Sequence, residues 1–111
     1  MSALLVLTHL PDNTSAEALA QFLVEHRLAA CVNILSPCTS AYRWKGAVEK
    51  SCEVPVQIKT TEARYPELEA AIRERHPYEL PEIVALPVGY GLSDYLAWIA
   101  AETQVDNWPS A

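Results

Sequence analysis

The stretch that most restricts the fold is Glu53 to Thr60, where side chains alternate in character residue by residue. Val54, Val56, Ile58 and Thr60 fall on one side, and Glu53, Pro55, Gln57 and Lys59 on the other. A period of two is the signature of a β-strand with one buried face, so Lys59 is expected to point away from the core. Upstream, Thr39 to Trp44 has extended character and runs into Lys45-Gly46, where a glycine can take positive φ in a tight hairpin turn. Two arms of roughly fifteen residues are long for one small sheet, whose strands usually run about five or six. The far end of such a hairpin needs a pairing partner, most simply another copy of the chain. Pro55 lacks a ladder donor, so its part of the strand is expected at a sheet edge or a bulge.

Around this hairpin the chain supplies alternating elements. Ala3 to Leu7 is an unbroken apolar run and reads as a buried strand. Thr14-Ser15-Ala16-Glu17 fits a capping box, followed by a helix with Ala16, Leu19, Ala20 and Leu23 on one face, ending near Arg27. Leu28 to Leu35 reads as a second strand, interrupted by Pro37 with a bulge. Tyr65, Leu68, Ala71 and Ile72 have helical spacing up to Arg75, with Pro66 tolerated in the first turn. Ile83 to Val88 is a further buried strand. Ser93 is placed to cap a last helix whose Tyr95, Leu96 and Ile99 turn inward.

The order β-α-β-β-α-β-α predicts an α+β fold, a ferredoxin-like split βαβ sandwich with an additional C-terminal helix and a long central hairpin. The helices are expected on one face of the sheet, leaving the other for an oligomer to cover. One domain is expected over residues 1–104, with a loosely held tail at 105–111 in which Trp108 is the exception.

Composition narrows the function classes. Half of the 111 residues are hydrophobic, which is enough for one core. A net charge of -6 and a pI near 4.9 disfavour nucleic acid and make cations the more natural partner. Cys31, Cys38 and Cys52 are odd in number and lack metal-knuckle spacing, so reduced thiols are expected. Cys38 and Cys52 fall diagonally across the hairpin but on opposite faces, which opposes a disulfide unless a bulge resets them. The first apolar run is far shorter than the roughly 18 residues of a membrane span and lacks a signal-peptide pattern, so the chain reads as cytoplasmic. There is no phosphate loop, nucleophile elbow or HExxH, and the enzyme classes fall away.

Chemistry concentrates in Arg75-His76-Pro77-Tyr78-Glu79-Leu80-Pro81-Glu82-Ile83, where two prolines stiffen a helix-to-strand connector. It reads either as a held site or as a plain helix stop with polar residues facing water.

Four segments in order, Leu28-Ala29-Ala30-Cys31-Val32-Asn33, Tyr42-Arg43-Trp44-Lys45-Gly46, Ile58-Lys59-Thr60-Thr61 and His76 to Pro87, resemble the CutA family of divalent-cation-tolerance proteins. The resemblance runs from Leu4 to about Glu102. It implies a homotrimer with PII-like architecture, a cytoplasmic location, and binding of copper or another divalent cation. It also implies three metal-ligand positions, occupied here by Thr8, Arg75 and His76, of which only His76 is a plausible ligand. His9, one residue on, faces the other way from Thr8. His76 with His9 and Glu79 or Glu82 is one candidate metal set, and a solvated loop histidine is the plain alternative. Cys31, among apolar neighbours, reads as a buried thiol. Lys59, Tyr78 and Glu82, with Trp44 from the same chain or a neighbouring one, form a second constellation, which the resemblance places at a subunit cleft and which suits a small polar or anionic ligand. A structural ion pair between Lys59 and Glu82 is its plain alternative. A signalling or scaffolding adaptor without metal function is the competing role.

Overall fold

A computed structural model of the chain describes residues 2–105. Its centre is a pair of antiparallel strands, β1 (Ala3–Leu10) and β4 (Ala47–Thr61), in register with Val6 opposite Ile58. β2 (Cys31–Ile34) lies along the second half of β4 and β3 (Cys38–Trp44) along the first, while β5 (Val84–Pro87) takes the free edge of β1. The order β2-β4-β1-β5, with β3 also on β4, is the split βαβ arrangement of a mixed α+β fold, its second strand cut in two. The cut falls at residues 35–37, where a bulge was expected, because Pro37 offers no donor and β3 restarts at Cys38. β2 is shorter than the expected Leu28–Leu35, since Leu28 and Ala29 both turn their amides back to Leu23 O.

Pro55 lies inside a strand paired with His9 of β1 on one side, and on the other it faces the one-residue register shift between β2 and β3, a bulge as expected. In an antiparallel ladder the N and C=O of one residue point to the same side. The Pro55 carbonyl accepts from Leu35 N at 2.9 Å, so the ring nitrogen faces the same gap between β2 and β3, where no donor is required. The hairpin turn is the expected two-residue one: Lys45 and Gly46 have φ of 50° and 85°, matching the twist of the arms.

Helix α1 (Asn13–Glu25) starts earlier than the Thr14 capping box predicts. Asp12 is the N-cap, its Oδ1 accepting from Ser15 N at 2.8 Å, and aspartate is at least as good a cap as threonine. α1 ends with Leu28 N on Leu23 O at 2.9 Å and Arg27 N on Val24 O at 3.1 Å, around Arg27 at φ 56°. Arg64 adds its own cap from the short 3-10 turn Glu62–Arg64, with Nε donating to Arg27 O at 3.1 Å. Helix α2 (Tyr65–Arg75) holds Pro66 in its first turn, as expected. Leu19 and Leu23 of α1 and Leu68 and Ile72 of α2 close a core with Val6, Val56 and Ile58.

Helix α3 (Ser93–Glu102) departs from the expected layout. Ile99 and Leu96 pack with Ala3, Ala30 and Val88, a cluster separate from the main core. Ala3 is out of phase with the core-facing Leu4, Val6, Thr8 and Leu10, so α3 covers one end of the opposite face. Ser93 does not cap it: Leu92 holds the cap position with no side-chain hydrogen bond. Tyr95 is 39% accessible beside Lys59 rather than buried. β5 is exposed throughout rather than buried, with Val84 and Leu86 each 47% accessible, because an edge strand has cover on neither face here. Trp108 lies outside the described residues.

Candidate functional site

The connector after α2 is fastened to the end of β1 by His76, which is 9% exposed instead of solvated. Its Nδ1 lies 3.2 Å from the backbone N of Tyr78, and its Nε2 lies 2.6 Å from the carbonyl of His9. An amide can only donate and a carbonyl only accept, so the ring is neutral, accepting at Nδ1 and donating from Nε2–H. Burial holds its pKa below the usual 6.5, against the opposing pull of the His9 carbonyl and the Glu53 charge.

As placed, His76 offers a metal no lone pair. Thr8 turns its hydroxyl into the core, where Oγ1 is buried without a hydrogen-bond partner. Arg75 swings away from the connector and stacks its guanidinium 3.4 Å from the Phe22 ring centroid. Among the described residues, no three His, Cys, Asp or Glu side chains gather closely enough to hold an ion. The donor set present does not fit a resident metal. Cys31, Cys38 and Cys52 are free thiols, Cys31 half-buried, and Cys38 and Cys52 are offset across the ladder as expected.

A groove of about 1030 Å³ opens between β3 and residues 77–84. Trp44, Tyr78 and Glu82 of the expected constellation line it together. His9 Nδ1 lies 2.9 Å from Glu82 Oε1, so the residues at the end of β1 grip the connector twice. Lys59 is elsewhere: its Nζ donates to Asn33 Oδ1 at 2.8 Å and sits 6.0 Å from the Tyr95 ring, on the sheet face that α3 partly covers. Neither the pocket with Lys59 nor its ion pair with Glu82 forms within one chain.

Glu53 is the residue that sequence reasoning missed. It lines the groove and is only 9% exposed, although alternation assigned it to the solvent side with Gln57 and Lys59. The signal was the connector itself: a loop carrying Tyr78 has to cover something. Burial, with hydrogen bonding to the neighbouring Glu53 carboxylate, pushes the Tyr78 phenol up to about 12. The groove thus combines aromatic walls with carboxylates.

Comparison with known proteins agrees with this architecture. The family model for the CutA1 divalent ion tolerance protein matches residues 4–102. The divalent-cation tolerance protein CutA of Thermus thermophilus is 45% identical over 98 residues, covering 88% of this chain and 95% of that protein. Protein CutA of Mus musculus is 44% identical over 94 residues, 85% of this chain, which spans only 53% of the mouse protein. A solved Thermus thermophilus divalent cation tolerance protein superposes with a TM-score of 0.90 at 43% identity, over 92% of this chain and 99% of that one.

Proposed function

Since the chain belongs to the CutA1 divalent ion tolerance family, we propose that it works as a homotrimer that binds a small ligand in the groove between its hairpin and the connector 76–83. The observation that carries this reading is the convergence of Trp44, Tyr78, Glu53 and Glu82 on one cleft. Divalent-metal tolerance then arises through ligand recognition, with direct metal capture a secondary act. Copper or zinc reaches His76 only by displacing the Tyr78 amide from Nδ1, so metal binding is modest and fades in acid. The cytoplasm is the proposed location, consistent with three free thiols.

The trimer is supported by the exposed apolar edge at Val84 and Leu86 and by a hairpin arm of 15 residues in a molecule 48 Å long. Lys59, outside the groove of its own chain, would then be available to a neighbour's cleft. Light scattering tests assembly: three times 12.3 kDa is expected, and a folded monomer at micromolar concentration refutes it. Calorimetry with copper(II) and zinc tests the metal reading, where tight binding abolished by His76→Ala would make the metal primary. A second reading, a PII-like scaffolding adaptor, is favoured by Leu80, Tyr90 and Leu92, exposed at 71%, 97% and 75% outside the strands.

A further inference from the structure

We propose that the groove takes an alkylammonium ligand, a primary amine on a short apolar chain. This rests on the reading above that the groove binds a small molecule, and it assigns that molecule's charge.

Glu53 is the first observation. It is nine-tenths buried against the groove, and no ion pair to it forms among the described residues. Its close neighbour is the Tyr78 hydroxyl, a hydrogen-bond donor but not a counter-charge. A carboxylate held on the groove wall with a hydrogen-bond donor but no counter-charge is the group an entering ammonium pairs with. The second observation is the wall chemistry: Tyr42, Trp44 and Tyr78 offer aromatic surface, which attracts cations over its faces and accommodates alkyl chains along them. The chain already shows this chemistry at the groove's mouth. Lys45 holds its own ammonium 5.5 Å from the Trp44 centroid and 3.7 Å from Glu79 Oε1, between an aromatic face and a carboxylate.

Charge disfavours the opposite assignment. Glu53, Glu79 and Glu82 line the groove against Arg43 and His9, the latter on Glu82, and Lys45 at the mouth is paired with Glu79. Lys59, the cation that sequence offered for an anionic ligand, is bound to Asn33 elsewhere. A bare metal ion is disfavoured because the carboxylates and His9 do not gather into a set of three ligands.

Calorimetry on the full, assembled chain with hexylammonium, hexanoate, hexanol and zinc decides the question. Hexylammonium is expected to bind at least tenfold more tightly than hexanol, with hexanoate weaker still. Glu53→Gln is expected to lower its affinity at least tenfold and Trp44→Leu several-fold, whereas Glu102→Gln, on the far side of the molecule, leaves it unchanged. Trp44→Leu sits beside the hairpin turn and serves where Glu53→Gln fails to fold. Preference for hexanoate overturns the charge assignment while the ligand-binding reading stands. Binding of none of the amphiphiles overturns both. Tighter zinc binding that displaces hexylammonium overturns it in favour of a metal. Hexylammonium binding that appears only in Lys59→Met overturns it too, because the counter-charge is then Lys59 of the partner subunit.

Discussion

Thr8 buries a hydroxyl that finds no acceptor, on a strand face otherwise filled by Leu4, Val6 and Leu10. Thr8→Val keeps the shape and removes the unsatisfied group, so it should stabilise the protein by about 1 kcal/mol. A urea midpoint that falls would reveal an acceptor for that hydroxyl. His76 gives a pH dependence of definite sign. Its folded pKa is lowered from 6.5 by burial, so its contribution is complete above about 6.5 and is lost as pH falls below that toward the folded value. Tyr78 acts at the other end: raised from 10.0 to about 12, it stabilises fully below 10 and loses that contribution between the two. Because the phenol is partly exposed, the loss is discounted to about 1 kcal/mol. Unfolding measured from pH 4 to 12 should show both shoulders, and His76→Gln should flatten the acidic one alone.

At the scale of elements, the end of α1 depends on a residue far away in sequence. Arg64 donates to Arg27 O at 3.1 Å and His26 O at 3.4 Å, and its Nη1 lies 2.6 Å from Glu67 Oε1. Its side chain is 9% exposed, so these carbonyls have little access to water. Arg64→Met keeps the apolar stem and strips the donors, which should cost about 2–3 kcal/mol in chemical denaturation. Glu67→Gln should cost much less, since its carboxylate is 68% exposed. An Arg64→Met variant as stable as the parent would mean that solvent serves the helix end equally well.

For the whole molecule, the exposed strip of β5 beside Leu5 and Leu7 makes assembly testable by one charge. Leu86 lies opposite Leu5 in the ladder and is 47% exposed. Leu86→Glu should reduce the mass seen by light scattering from that of the proposed trimer to a monomer, with unfolding that no longer shifts with protein concentration. If the trimer persists, its interface lies elsewhere, with the hairpin as the remaining surface.

Local pattern by itself determined the strand-helix order, the α2 boundaries at Tyr65 and Arg75, the Lys45-Gly46 turn, and the inward set Val54, Val56, Ile58 and Thr60. Each depends on spacing or on backbone constraints within a few residues, which a sequence records directly. The family resemblance pointed to Lys59, Tyr78, Glu82 and Trp44, of which the last three line one groove. What only the tertiary structure decided were contacts across the chain: which strand break Pro55 faces, α3 on the second face, and Lys59 bound to Asn33. His76 as a fastening for His9 and Tyr78, and Glu53 buried beneath Tyr78, belong with these. Alternation tells which side of a strand a residue occupies, but burial depends on what the rest of the fold lays over that side.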